Sequence, residues 1–186
     1  VTSFERVLNL QYFQGKDQVK YGDVRYVTLS GSDYQLDENL LNDYEKSSVF
    51  KQLVDDVINV GIEKSQQYDL STKFTLGKKY DRKDANRLLG WENEQASAIY
   101  GYTIKDDTCP IFVKYNKPEN TIDYDNIFYN TNTIKWYTRP ARRLDSPEVR
   151  KLIDGDNDKT LDIYVFLKKN DDEGSDFYCL GQADIE

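Results

Sequence analysis

The sequence predicts an α+β fold: a curved antiparallel sheet or small barrel with short flanking helices. Three observations support this. Leu161, Ile163, Val165 and Leu167 alternate at period two, the clearest strand pattern in the chain. Further short apolar runs at 99–104, 111–115, 133–138 and 177–180 are separated by turn-forming segments such as 171–174. The helical signals among them are short and few, whereas a doubly wound parallel sheet needs long helices regularly interleaved with its strands.

The elements follow in chain order. The first 40 residues are polar, with a possible strand at Val24 to Leu29. Ser47 or Ser48 caps a helix whose apolar stripe is Phe50, Leu53, Val54, Val57 and Ile58, and Gly61 weakens its continuation. Residues 66–71 read as a linker, which divides the chain into 1–70, a partly helical extension, and 71–186, the main domain. Beyond it, Lys73 to Leu76 is a candidate strand and Gly77 a turn. Asp81 caps a helix over 82–89 with Ala85, Leu88 and Leu89 inward, and Gly90 stops it. Ser146 and Pro147 open a second helix with Val149, Leu152 and Ile153 buried and Gly155 beyond its end.

Composition excludes several chemistries. The chain of 186 residues has no histidine, which removes ordinary histidine acid–base catalysis and most mononuclear zinc sites. Two cysteines do not make a disulfide framework and suit a cytoplasmic protein. No apolar run of membrane-spanning length, signal peptide or lipidation motif occurs, so a soluble protein without membrane partners is expected; a start at Val1 points to a longer parent chain. There is no GxxxxGK[ST] loop and no GxSxG elbow. The acidic clusters at 154–158 and 171–176 lack the calcium-loop spacing and read as solvated turns. Asp81 and Lys83 form only a D-x-K fragment of a metal-dependent nuclease pattern, so no metal, cofactor or catalytic residue is assigned.

The net charge of −8 conceals two basic stretches. Residues 73–91 hold six cations and two acids, and so do residues 135–151. Brought together by the fold, they would form a positive face for a polyanion on an otherwise acidic protein. Many of the 15 tyrosines and both tryptophans fall in the same C-terminal region. Aromatic walls beside cations suit a base extruded from a duplex, with the cations on phosphates.

The run YDRKDANRLLGW (80–91), then CPIFVKY (109–115), YDNIF (124–128), IKWYTR (134–139) and DIYVFLKKNDDEGSDFYCLG (162–181), resembles the domain of formerly unknown function at the C-terminal end of bacterial superfamily-two helicases and of type IV methyl-directed restriction enzymes. The resemblance covers roughly residues 72–181, and the preceding helical segment resembles the region that connects such a domain to its motor. In those enzymes the domain is similar to SRA modified-base readers. The resemblance therefore implies an SRA/PUA-like barrel that binds double-stranded DNA containing 5-methylcytosine, with base flipping, as a specificity module. It implies partners in the helicase and nuclease domains of a parent polypeptide, and no covalent chemistry by this chain. The alternative is a non-catalytic interaction or regulatory domain of a helicase.

Alternation assigns candidate roles. Ile134, Trp136 and Thr138 point to one side of their strand, and Lys135, Tyr137 and Arg139 to the other. Trp136 is then core or the wall of a base pocket, and Tyr100 and Tyr102 share a face as stacking candidates. The base and DNA contacts are Tyr100, Tyr102, Trp136, Tyr137, Thr138, Arg139, Arg142 and Arg143, with Pro140 opening the turn that displays the last two. Secondary phosphate contacts are Lys79, Arg82, Lys83, Arg87 and Lys135.

Overall fold

A computed structural model describes residues 3–13, 15–21, 25–91, 101–116 and 126–186. The chain divides into two compact units, Val1–Lys73 with Gly90–Glu94, and Phe74–Leu89 with Gln95–Glu186.

The first unit runs α1 (Ser3–Leu8), α2 (Lys16–Tyr21), β1 (Val27–Ser30), β2 (Asp33–Leu36), α3 (Glu38–Lys46) and α4 (Ser48–Ser65). β1 and β2 form an antiparallel hairpin closed by Gly31 and Ser32, and Gly31 supplies the positive φ that so short a loop requires. Asn9 acts as a surrogate strand partner for Val27: its amide nitrogen donates to the Val27 carbonyl at 2.7 Å, and its oxygen accepts from the Val27 N–H at 2.8 Å. Asp37 caps α3 by accepting from the amides of Asn39 and Leu40. Ser47 ends α3 and caps α4 by accepting from the Phe50 amide. The expected helix thus forms, but it passes through Gly61 to Ser65, and its stripe is not buried: Leu53, Val57 and Ile58 are exposed.

The second unit holds β3 (Lys79–Tyr80), α5 (Arg82–Leu88), β4 (Thr108–Lys114), β5 (Ile127–Phe128), β6 (Ile134–Lys135), α6 (Pro147–Asn157), β7 (Asp162–Lys168) and β8 (Phe177–Gln182). Four strands make an open sheet in the order β3-β8-β7-β4, and β5 and β6 make a separate antiparallel hairpin. The architecture is α+β with short helices, as expected, but the sheet is mixed. β7 pairs antiparallel with β8, whereas its full-length pairing with β4 is parallel. The chain between β4 and β7 contains α6, the crossover that a parallel pair demands and an antiparallel one does not. The candidate strand at Lys73–Leu76 is a turn region instead, with the pairing displaced to β3. The expected strand at 99–104 contributes only an isolated bridge from Tyr102 to Ile111, its first two residues lying outside the described ones.

Both faces of this sheet are covered, which is why β4 reads as a continuous apolar run. On one face Cys109, Ile111, Val113 and Ile163 join Tyr102, Leu161 and Leu152 of α6, with Ile134, Trp136 and Leu167 packed against them. The other face is aromatic. Phe166 stacks on Phe112 at 4.8 Å and meets Phe74 edge-on at 5.0 Å, and Phe177 meets Phe112 at 5.1 Å. Arg82, the first residue of α5, lies over Phe112 and Phe177. Each fully buried side chain of this kind contributes about 2 kcal/mol.

The helix ends show where local signals sufficed. Asp81 caps α5 by accepting from the Asp84 amide at 2.7 Å, and Gly90 follows the helix with φ +76°. Ala85 within α5 and Leu89 at its C-terminal cap are buried, but Leu88 is exposed and Asn86 takes the expected inward place. α6 starts at Pro147 yet runs past Gly155 to Asn157. Gly155 belongs inside the helix because a Cβ there would stand 2.8 Å from Leu161 Cβ, and its carbonyl accepts from both Thr160 and Leu161.

Candidate nucleic-acid interface

The β5–β6 hairpin stands over the aliphatic face of the sheet and borders a half-open cavity of about 390 Å³. Ile111 and Val113 of β4, Ile163 and Val165 of β7, and Ile134 and Trp136 supply its apolar walls. Tyr129, Asn132, Thr133, Lys135 and the segment 183–186 supply polar groups. That segment is held in place by three bonds. Ala183 N–H donates to the Ile163 carbonyl, Ile185 N–H donates to Asp156 Oδ2 at 3.0 Å, and Lys159 Nζ pairs with Asp184 at 2.7 Å.

Alternation holds at the heart of IKWYTR. Ile134 and Trp136 turn to the cavity side, where Trp136 meets Tyr102 edge-on at 4.8 Å. Trp136 is thus core and cavity wall at once. Tyr137 turns the other way and Lys135 stands at the cavity rim with its ammonium turned to that ring, Nζ 5.0 Å from its centre, and hydrogen bonding to the phenol raises the lysine pKa. Thr138 is half-buried.

Alternation fails one residue later. Arg139 turns back over the Tyr102 ring at 4.8 Å, donates to the Tyr102 carbonyl and pairs with Glu148 Oε1 at 2.9 Å. Arg142 Nε takes the other Glu148 oxygen at 2.7 Å. A single α6 carboxylate thus gathers two of the cations expected to face a partner. The shared acid offsets one of their two charges, and neither Lys135 nor Arg143, which is exposed on the turn at Ala141, forms an ion pair among the described residues. Glu148 was invisible as a site residue, because its partners lie six and nine positions away on a turn. Tyr102 is 1% exposed, and burial, reinforced by the negative field of Glu148, pushes its phenol up to about 12. Its ring packs within the core. Tyr100 lies outside the described residues.

The remaining candidates stand elsewhere. Arg82, Lys83 and Arg87 are on α5, over the aromatic face, opposite the cavity. Burial lowers the Arg82 pKa, and Arg87 pairs with Asp84 at 3.1 Å. Lys79 lies on β3 with its ammonium 4.7 Å from the Tyr178 ring centre. The α5 cations therefore sit on the face of the sheet opposite Arg139 and Arg142, while Lys79, in register with Tyr178, points to the aliphatic side at the far edge of the sheet, so the two basic stretches do not form one continuous positive surface. Lys114 and Lys168 were not singled out in the sequence. Both donate to Asp171, at 2.6 and 2.9 Å, and Lys168 also donates to the Gly174 carbonyl while only 4% exposed.

Both cysteines are free and buried. Burial raises both thiols, that of Cys109 to about 12, so neither provides a thiolate nucleophile. Among the described residues no group of three or more cysteine or acidic side chains could hold a metal ion, and no helix is long and apolar enough to cross a membrane.

No curated protein matches the chain. Residues 1–70 match the family model of a domain of unknown function, DUF8090. Residues 74–186, more than half of the chain and nearly all of the unit that contains the cavity, match that of another domain of unknown function, DUF3427, and the chain belongs to the DUF3427 family.

Proposed function

We propose that the second unit is an SRA/PUA-like reader that binds double-stranded DNA containing a modified base, 5-methylcytosine foremost, as the specificity module of a type IV restriction enzyme. The observation that carries this reading is the cavity behind the β5–β6 hairpin. Its volume of about 390 Å³ falls within the range of about 300–1,000 Å³ typical of small-ligand sites. Its walls combine an indole with branched aliphatic side chains, which suit a flat ring bearing a methyl group, and Asn132 and Thr133 offer hydrogen-bonding groups for a base edge. A base reaches such a recess only by leaving the helical stack, which makes flipping part of the proposal. Lys135 beside the cavity and Arg143 on the following turn are the cations placed to meet phosphates. The helicase and nuclease would belong to other parts of a parent polypeptide.

A competition titration tests this reading with duplexes identical except for one cytosine, 5-methylcytosine or 5-hydroxymethylcytosine. Tighter binding of a modified duplex at fixed salt, with a steep salt dependence, is expected. Equal affinity for all three removes the modified-base reading and leaves DNA binding standing.

The second reading, a docking or regulatory domain of a helicase, draws on the exposed apolar stripe of α4. Arg143→Glu separates the two. Lost DNA binding favours the reader, and unchanged DNA binding with altered helicase regulation favours docking. Arg142 is a poorer probe, since it is already paired with Glu148 and its reversal would disturb that contact as well.

A further inference from the structure

The β5–β6 hairpin also carries an outer face that begins at the rim of the cavity, where Tyr129 and Lys135 stand, and extends away from it to Ile127 and Tyr137. In its register Phe128 opposes Ile134 and Ile127 opposes Lys135, so the hairpin turns Ile134 and Trp136 inward, Ile127 and Tyr137 outward, and holds Lys135 at the rim between. Tyr129, just beyond β5, is 63% exposed and Tyr137 is 39% exposed. Lys135 lies between them along the hairpin: Tyr129 faces Thr133, two residues before Lys135, and Tyr137 follows two residues after it with its ring centre 5.0 Å from the ammonium. The adjoining Ile127 is also exposed.

We propose that this outward face is a stacking platform for unpaired nucleotides, with Tyr129 and Tyr137 receiving bases and Lys135 the phosphate between them. The proposal rests on the nucleic-acid reading of the cavity and extends it to a second contact on the same hairpin. Two exposed rings flanking one cation reproduce the alternation of a single strand, whose flat apolar bases are joined by anionic links. A duplex offers its bases only at an end or where one has been extruded. A platform next to a base-sized cavity is therefore placed to hold the strand that opening the duplex releases. The rings accept any base, because every base has a π-face. Base identity then remains the task of the cavity, and the platform adds affinity without sequence preference.

The test uses the full 186-residue chain and a fluorescent oligothymidine, followed by anisotropy at fixed salt beside a duplex of the same length. Tyr129→Ala and Tyr137→Ala should each weaken oligothymidine binding roughly tenfold, whereas Tyr137→Phe, which keeps the ring, should retain it. Lys135→Gln should lower the slope of log affinity against log salt by about 0.7, the release expected for one single-strand phosphate. Circular dichroism on each variant establishes that the fold is intact. Equal oligothymidine affinity across folded variants overturns the platform. Duplex binding by the parent chain without oligothymidine binding overturns it and leaves the cavity reading untouched. Absence of binding to either nucleic acid overturns both.

Discussion

Trp136 meets Tyr102 edge to face, with ring centres 4.8 Å apart and planes at 83°. The indole thereby borders the core on one side and the cavity on the other, so one substitution reports on both. Trp136→Leu should cost about 1–3 kcal/mol in stability through lost packing. If the cavity receives the base, it should also abolish discrimination between methylated and unmethylated duplex while leaving general DNA affinity within a few-fold. Urea unfolding and the competition titration measure the two effects separately.

Glu148 holds Arg139 and Arg142 with its two oxygens. Glu148→Gln keeps the shape but removes the charge, and should cost about 2 kcal/mol, because Arg139 is then left partly buried without its counter-ion. It also frees two cations. Duplex affinity at low salt should therefore rise as stability falls, a combination that loss of packing alone does not produce. Chemical denaturation and anisotropy on the same preparation check this.

Two glycines in helices should answer the same substitution with opposite signs. Gly61 in α4 has nothing within 4 Å of an added Cβ, so Gly61→Ala should stabilise its unit by about 0.5–1 kcal/mol. At Gly155 the new Cβ would stand 2.8 Å from Leu161 Cβ. Overpacking costs about 1–3 kcal/mol and outweighs the propensity gain there. Thermal melts of the two variants should shift in opposite directions.

Asp171 accepts from Lys114 and Lys168, and those two ammonium groups hold its carboxyl down to about 2. A folded-state value below the unfolded one contributes stability that is complete above about pH 4 and disappears as pH falls toward 2. The carboxylate is well exposed, so the contribution is modest. Asp171→Asn should therefore lower stability at neutral pH, and its deficit relative to the parent should shrink as pH falls from about 4 to 2. Urea midpoints across that range measure the convergence.

Cys109 and Cys179 should resist a thiol reagent in the native protein at mildly alkaline pH and react together on unfolding in guanidinium. Burial pushes both thiols up and also denies the reagent access. Rapid native-state labelling would contradict the buried placement of the strands that carry them.

Cap chemistry and period-two alternation were legible wherever the deciding atoms lie within a few residues of one another. Asp81, Ser47, Pro147 and Gly90 all mark helix ends as their residue types predict. The split of Trp136 from Tyr137 was legible in the same way. Gly155 misled because helix propensity is local, while the side chain that requires a glycine there, Leu161, belongs to the next element. The stripe on α4 was equally plain in sequence, yet an apolar face says nothing of what covers it.

The sequence by itself determined the α+β class, the strands β4, β7 and β8 and the inward turn of Trp136, since each follows from local stereochemistry and the spacing of apolar residues. Only the tertiary structure decided that β4 and β7 run parallel, that the α5 cations lie on the face opposite Arg139 and Arg142, and that Glu148 takes up Arg139 and Arg142. It also decided that a cavity forms behind the β5–β6 hairpin. These are relations between distant segments. Which strand lies beside which, and which acid meets which cation, depends on how separate elements pack around a common core, and no local pattern records that choice.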